Sequence, residues 1–437
     1  VKIYTIGGYN KVGKNLTAIE SGDEIVILDM GLDMEEVALE GEELEELSTK
    51  ATFKTGAIPD DSQLYEQRDK VKAIVIGHGH LDHVGAVPKL AGAYDCPIIA
   101  TPFTMKIMEQ RIREDRKSIN NERIPLNAGD HHWVSNNIEI EFIHVTHSIP
   151  DAVLIAVHTP EGTVLYSLDF RFDEQPVLGR PSDYDRLKRL GGERVKVLIG
   201  DSTRVQYEGA CTSETEIKNQ LKYRLDQIYE DGESVFVSTF SSHIERIKSM
   251  VDVNAGRRKI AFLGRSLKEY SRAASELGLL DLSGIKVVSY YDEMNEMLSQ
   301  ISAERKNWLV ICTGNQGEPG SALNRIAHGD YALKIREGDN IIFSSSVIPT
   351  AVNEANRYKM EKKLKVQGAR LHQDLHTSGH AKREDNRRMI RMVKPGIIIP
   401  AHGNIQMLAS FAALAREEGY TLNENLFICE DGNVVEI

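Results

Sequence analysis

The chain has 437 residues, of which 41% are hydrophobic and 27% charged, a balance that excludes a disordered or low-complexity protein. No apolar run approaches the roughly 18 residues that span a bilayer as a helix, so no membrane association is expected. The net charge of −12 argues against simple nucleic-acid coating, but Asp33, Glu35, Glu36, Glu40, Glu42, Glu43, Glu45 and Glu46 supply most of it as one acidic stretch, 33–46, which reads as an exposed insertion. Strands are predicted at 1–6, 16–21 and 25–30, and the first lacks the basic head and apolar body of a secretion signal. Residues 71–76 are apolar apart from Lys72, the pattern of a strand covered on both faces. Strands at 138–146 and 152–158 follow, and Glu161-Gly162 turns the second into a hairpin with 163–168. A further strand is expected at 195–199.

From about 208 to 362 the pattern changes to strand–loop–helix units: 234–239 into 244–250, 259–263 into 267–277, and 308–312 into 321–327. Each strand ends in small polar residues or Gly before a helix begins, as in parallel α/β sheets that present helix starts to anions. The earlier pattern then returns, with a strand at 396–399, a helix at 405–418 and short strands at 425–429 and 433–436. The expected class is α/β: one domain built from 1–207 and 363–437, and a second, 208–362, set between its halves. Cys96, Cys211, Cys312 and Cys429 form no CxxC pair and read as small core residues of a reducing, cytoplasmic compartment.

The chemistry concentrates in His78-Gly79-His80-Leu81-Asp82-His83, one loop after a buried strand. Burying so many polar groups without a compensating ion is costly. Alternation sets His78 and His80 on one side and leaves Asp82 and His83 for a second position, which suits two adjacent divalent ions. Further ligands are expected at strand ends: His147 in Val145-Thr146-His147, Asp169 in Ser167-Leu168-Asp169, and His402 in Pro400-Ala401-His402-Gly403. His144 competes with His147 but shares strand parity with the core side, and His131, His132, His158, His328 and His372 have no such context.

The run HxHxDH, then a downstream His, an Asp and a last His, resembles the metallo-β-lactamase superfamily. The resemblance implies an αββα sandwich over 1–207 and 363–437. It implies that His78, His80 and His147 hold one ion, that Asp82, His83 and His402 hold the other, and that Asp169 bridges them. Asp29 in Ile27-Leu28-Asp29-Met30-Gly31 matches the family's first-strand Asp, which supports the site without ligating. The block 208–362 resembles the α/β domain inserted in β-CASP nucleases. Asp201 in Gly200-Asp201-Ser202-Thr203 and His380 in Ser378-Gly379-His380-Ala381 match that group's acidic and histidine motifs.

The chain is most similar to the ribonuclease J family, through His147-Ser148-Ile149-Pro150-Asp151-Ala152-Val153, Thr313-Gly314-Asn315-Gln316-Gly317-Glu318-Pro319 and His376-Thr377-Ser378-Gly379-His380-Ala381. Nearly the whole chain takes part. The C-terminal domain of bacterial members has no counterpart here, 33–46 has none in the family, and Ser241-Ser242-His243 stands where bacterial members often have Ala-Ser-Asn. These departures point to the short archaeal type.

The implied activity is a metal-dependent 5′→3′ exoribonuclease, with or without endonuclease action, that leaves 5′-phosphorylated products. Two divalent ions, Zn or Mn, would lower the pKa of the attacking water and neutralise charge on phosphorus. His380 would protonate the leaving 3′-oxygen, with Asp201 orienting it and Asp82 part of the same centre. Ser241, Ser242, His243, His376 and Ser378 are expected to hold an RNA 5′-monophosphate at probable helix starts. For the serines the competing role is plain N-capping, worth about 1 kcal/mol. Phe240 reads as a core residue with base stacking as the alternative.

Two basic groups, Lys382-Arg383-Arg387-Arg388-Arg391-Lys394 and Arg111-Arg113-Arg116-Lys117-Arg123, read first as solvated faces and second as phosphate guides. The family implies a homodimer. Rival activities are an endoribonuclease of the cleavage-and-polyadenylation kind, a DNA-repair β-CASP nuclease, a small-ester hydrolase with the same metal site, and an inactive RNA-binding scaffold. The complete ligand set and the inserted domain speak against the last two.

Overall fold

A computed structural model describes residues 1–40, 47–115, 118–348, 350–373 and 375–437. Glu42, Glu43, Glu45 and Glu46 of the acidic stretch lie outside them, as do Arg116 and Lys117 of the second basic group. The strands in chain order are β1 Lys2–Gly7, β2 Leu16–Ser21, β3 Glu24–Leu28, β4 Val71–Ile76, β5 Ile98–Ala100, β6 Arg123–Pro125, β7 His131–Trp133, β8 Glu139–His144, β9 Val153–Thr159, β10 Gly162–Ser167 and β11 Val195–Asp201. They continue with β12 Val235–Ser238, β13 Lys259–Leu263, β14 Ile285–Val288, β15 Trp308–Cys312, β16 Asn340–Phe343, β17 Arg370–His372, β18 Ile397–Ala401 and β19 Asn433–Glu436.

The chain divides into two compact units. The first is 1–172, 181–211 and 379–437; the second is 173–180 and 212–378. The first unit holds two sheets, ordered β19-β1-β2-β3-β4-β5-β6 and β18-β11-β10-β9-β8-β7. Their facing sides share one core that joins Ile19, Val26 and Val75 to Phe142, Val157, Val197 and Ile399. The far side of the second sheet buries Leu165 and Leu198 with Leu187, Ile390 and Phe411, from the helices Tyr184–Gly192, Arg383–Val393 and Ile405–Glu417. The helix Pro102–Glu114 packs on the first sheet at β6. This is the four-layer α/β/β/α sandwich that the resemblance implies. It explains why β4 is apolar apart from Lys72: both of its faces are covered.

The second unit is built on one sheet, β14-β13-β15-β12-β16-β17, parallel throughout. Helices follow its strands as the sequence predicts, with Ile244–Asn254 after β12 and Arg265–Glu276 after β13. The contact limit at 378 lies beyond the 362 read from sequence because β17 hydrogen-bonds to β16 and so extends this sheet.

One expected strand does not form. At 425–429 only Leu426 bridges β18: Ile398 N–H donates to Asn425 O, and Phe427 N–H donates to Ile398 O. The chain then turns toward β19, so the ladder ends after one rung.

Candidate metal centre

Six strand ends of the first unit meet at one place. Asp29 follows β3, His78 to His83 follow β4, His147 follows β8, Asp169 follows β10, Asp201 ends β11, and His402 follows β18. Side chains at strand ends leave the ladder and can converge, while the buried sheets hold their roots fixed. Asp29, Asp169 and His402 have φ of 59°, 54° and 55°, in the left-handed region that costs a non-glycine residue about 1–2 kcal/mol. Backbone bonds hold these turns: Asp29 N–H donates to Val75 O at 2.9 Å and His402 N–H to Gly8 O at 2.6 Å.

Two ligand-like groups share Asp169. Its Oδ2 lies 3.3 Å from His78 Nε2 and 3.4 Å from His147 Nε2. His80 Nδ1 stands 3.0 Å from that His78 nitrogen and 3.1 Å from that His147 nitrogen. Its Oδ1 lies 3.2 Å from His83 Nε2 and 3.1 Å from His402 Nε2, and Asp82 Oδ2 is 3.6 Å from each of these two histidine nitrogens. Ligands at about 2.0–2.1 Å from a tetrahedral ion are separated by about 3.3 Å, so both spacings fit a divalent ion. Each group has its ligand atoms within 4.8 Å of one another.

Three histidines are oriented through the nitrogen that faces away. His83 Nδ1 donates to Asp29 Oδ2 at 2.6 Å, His147 Nδ1 donates to Gly379 O at 2.7 Å, and His402 Nδ1 lies 3.0 Å from Asn15 Oδ1. For His83 and His147 this leaves Nε2 as the lone-pair atom, as a metal ligand requires, while His402 Nδ1 faces both Asn15 Oδ1 and, at 3.3 Å, the Gly13 N–H. Asn15 is fully buried, and its Nδ2 also donates to Asp82 O at 3.0 Å. An Asn in the loop Tyr9–Asn15 reads as a turn residue, so sequence gives this role no signal.

The electrostatics demand cations. Both Asp169 carboxylate oxygens and His402 Nε2 are buried and accept or donate no hydrogen bond among the described residues, which is costly for a carboxylate without a positive partner. Burial pushes the Asp169 carboxyl up, but His402, His83, His380 and His78 outweigh this and hold it well below the usual carboxylate range. Burial, with His78 beside it, lowers His80 to about 3, and burial lowers His147 as well, whereas Asp169, Asp29 and Asp82 outweigh burial at His83 and raise it well above the usual imidazole value. Neutral imidazoles are the form that binds metal.

His380 stands beside this cluster, one fifth exposed, with Nδ1 2.9 Å from Asp201 Oδ2 and 3.8 Å from Asp169 Oδ1. Burial alone would lower its pKa, but the Asp169 and Asp201 carboxylates outweigh burial and hold it up to about 9. Asp201 is fully buried, and its Oδ1 accepts the Thr203 N–H at 2.9 Å.

The five residues expected at a phosphate lie in the second unit. Ser241 Oγ is 2.8 Å from Ser266 Oγ, and Ser242, His376 and Ser378 are half-buried. His243 is fully buried, with Nε2 3.5 Å from Glu214 Oε2, so it faces the interior. Its ring centroid is 6.2 Å from that of His376, as is the ring of half-buried Phe240. The basic helix face is neutralised: Arg383, Arg387 and Arg391 pair with Glu417 and Glu418, at 2.5–2.9 Å. Arg111 pairs with Glu114 at 2.6 Å.

The chain matches three family descriptions: the metallo-beta-lactamase superfamily over residues 10–236, the ribonuclease J beta-CASP domain over 232–361, and the Zn-dependent metallo-hydrolase RNA specificity domain over 364–427. It is 44% identical to a ribonuclease J of Pyrococcus abyssi, across 100% of this chain and 97% of that one. A ribonuclease J of Methanocaldococcus jannaschii is 40% identical across 99% and 98%. Ribonuclease J 1 of Streptococcus pyogenes is 33% identical, and there this chain covers 74% of the longer relative. A solved structure of a protein of unknown function from Enterococcus faecalis superposes with a TM-score of 0.66 over 99% of both chains, at 16% identity, a likeness of fold alone.

Proposed function

Because this chain belongs to the ribonuclease J family, metal-dependent RNA hydrolases of the β-CASP metallo-β-lactamase kind, we propose that it degrades RNA as a 5′→3′ exonuclease and leaves 5′-phosphorylated products. The observation that carries the reading is a pair of ligand groups sharing Asp169 with His380, itself bonded to Asp201, alongside.

His78, His80, His147 and Asp169 would hold one ion, and Asp82, His83, His402 and Asp169 the other, each Zn or Mn. When bound, the ions supply Lewis acidity toward a phosphate oxygen and toward water. The chain's own groups do the rest. Asp169 and Asp82 would bring negative charge to the ions they hold. Asp201 accepts the Nδ1–H hydrogen bond of His380 and so turns Nε2–H outward, where it can pass a proton to a leaving 3′-oxygen. Gly379 ties this histidine to the ligands, since its carbonyl orients His147.

Exonuclease polarity rests on the second unit. Ser241, Ser242, His376 and Ser378 would bind the 5′-monophosphate, with His243 supporting from the interior. Seating the 5′ end first allows one-nucleotide steps. Incubation of 5′-labelled, 5′-monophosphorylated RNA with Mn²⁺ or Zn²⁺ tests this. Labelled mononucleotide from the earliest time is expected. Labelled oligonucleotides of many lengths would instead assign endonuclease action, and equal turnover of 5′-hydroxyl RNA would remove the phosphate pocket. DNA of the same sequence should be cut far more slowly. A homodimer is part of the same proposal, and sedimentation at micromolar concentration checks it.

A further inference from the structure

Beneath the residues assigned to the 5′-phosphate lies a buried charge with no place in hydrolysis itself. Arg246, in the helix Ile244–Asn254, is fully buried, and so is Glu214 at the start of the helix Glu214–Glu230. Arg246 Nε and Nη2 donate to the two Glu214 oxygens at 2.5 and 2.8 Å. This fork satisfies the carboxylate and cancels both charges, which a buried pair requires.

The remaining nitrogen points elsewhere. Nη1 lies 2.7 Å from Ser344 Oγ, 3.0 Å from each of Ser344 O and Leu375 O, and 3.4 Å from His376 Nδ1, so its two hydrogens are shared among these neighbours. Ser344 Oγ itself donates to Leu375 O at 2.7 Å. One guanidinium therefore holds the end of β16, the backbone before His376, and the His376 ring.

A guanidinium has only donors, so this contact favours His376 Nδ1 as an acceptor. A neutral imidazole that accepts at Nδ1 carries its hydrogen on Nε2. Lysine could replace the charge but not the fork, because its ammonium is a single point on a flexible stem.

We propose that Arg246 is the positioning residue of 5′-end recognition: it fixes the backbone and tautomer of His376 so that Nε2–H is the donor offered to the terminal phosphate. Since Glu214 neutralises Arg246, the contribution is orientation rather than long-range attraction. The inference rests on the phosphate pocket proposed above.

The test compares kcat/KM on 5′-monophosphorylated and 5′-hydroxyl RNAs of one sequence, for the wild type, Arg246→Lys and His376→Ala. Arg246→Lys should lower the phosphorylated-to-hydroxyl ratio about tenfold, chiefly through KM, the size of one well-placed hydrogen bond to a charged group. General loosening would lower both rates together and leave the ratio unchanged, which overturns the proposal. If His376→Ala collapses the ratio and Arg246→Lys does not, Arg246 has no such role and the pocket stands. If His376→Ala leaves the ratio intact, the pocket fails and this inference with it. A long-range ¹H–¹⁵N spectrum of the wild type reads the tautomer without any variant; a hydrogen on His376 Nδ1 would also overturn the proposal.

Discussion

His380 Nδ1 lies 2.9 Å from Asp201 Oδ2, and that carboxylate is fully buried with its second oxygen on the Thr203 N–H. The ring is thus fixed from behind by a group that water does not reach. His380→Ala should lower kcat by about 10²–10⁴, the range for loss of a general acid, with little change in KM. Asp201→Asn removes one of the charges that, with Asp169 and Asp82, hold the His380 pKa up, so the group loses its proton at lower pH. In the proposed general-acid role, activity needs the protonated form and falls as pH rises through that pKa. The alkaline limb of a kcat profile should therefore move to lower pH in Asp201→Asn, and an unmoved limb would show that a different group titrates there.

Asp169 contributes an oxygen to each ligand group, whereas His402 belongs to the second one only. Asp169→Asn should leave the chain with neither ion at stoichiometric level, and His402→Ala with one, as counted by plasma mass spectrometry after dialysis. Asn15→Ala removes the contact behind His402 and the bond to Asp82 O without removing a ligand. It should weaken metal affinity about 10- to 100-fold, the usual effect of losing a partner behind a ligand. Retention of tight metal by Asn15→Ala would reduce Asn15 to a packing residue.

How legible this was varies with the range of each interaction. His78 to His83 stand out because β4 is a continuous apolar run that stops just before them, and Asp169 and His402 follow strands of the same kind. The strands β5, β6 and β7 have three residues each, too few for alternation to register, and none was expected. Asn15 and Arg246 are invisible for another reason. Each is a residue type that is normally exposed, buried here by partners distant in the chain: His402 for one, Glu214 and Leu375 for the other. The Arg383-Arg387-Arg391 stripe reads correctly as one helix face. Its neutralisation by Glu417 and Glu418 depends on packing against another helix, which no helical period encodes.

Glu141 offers a stability test away from the metal centre. It is buried in β8, its Oε2 lies 2.9 Å from His158 Nε2, and both its oxygens meet the Arg186 guanidinium. Burial raises its pKa, but the bonds from His158 and Arg186 outweigh this and hold it down to about 2. The folded value is below the unfolded one of about 4.3, so the contribution is complete above that pH and is lost as pH falls toward the folded value. Glu141→Gln should lower stability at pH 7 by about 1.5–3 kcal/mol, the worth of a hydrogen bond to a charged group. Thermal melts should show the variant losing less Tm than the wild type between pH 5 and pH 3. Parallel losses would mean that Glu141 titrates normally.

Gly379 separates His380 from the segment before it, and a Cβ there would stand 2.5 Å from His147 Cε1 and 2.7 Å from Ser148 Oγ. Its carbonyl also accepts the His147 Nδ1 hydrogen at 2.7 Å. Its φ is not in the left-handed region, so the need for glycine is one of space rather than of backbone conformation. Gly379→Ala must push His147, with Ser148 beside it, away from its group or shift His380 away from Asp201. A displacement of about 1 Å at a reacting group costs on the order of 10²-fold in rate. The variant should thus keep its thermal midpoint within a few degrees while kcat falls by about that factor. Metal content tells which side gives way: loss of one ion places the shift at His147, and full metal with a moved alkaline limb places it at His380. Wild-type turnover in Gly379→Ala would show that the His147 ring has room the structure does not grant it.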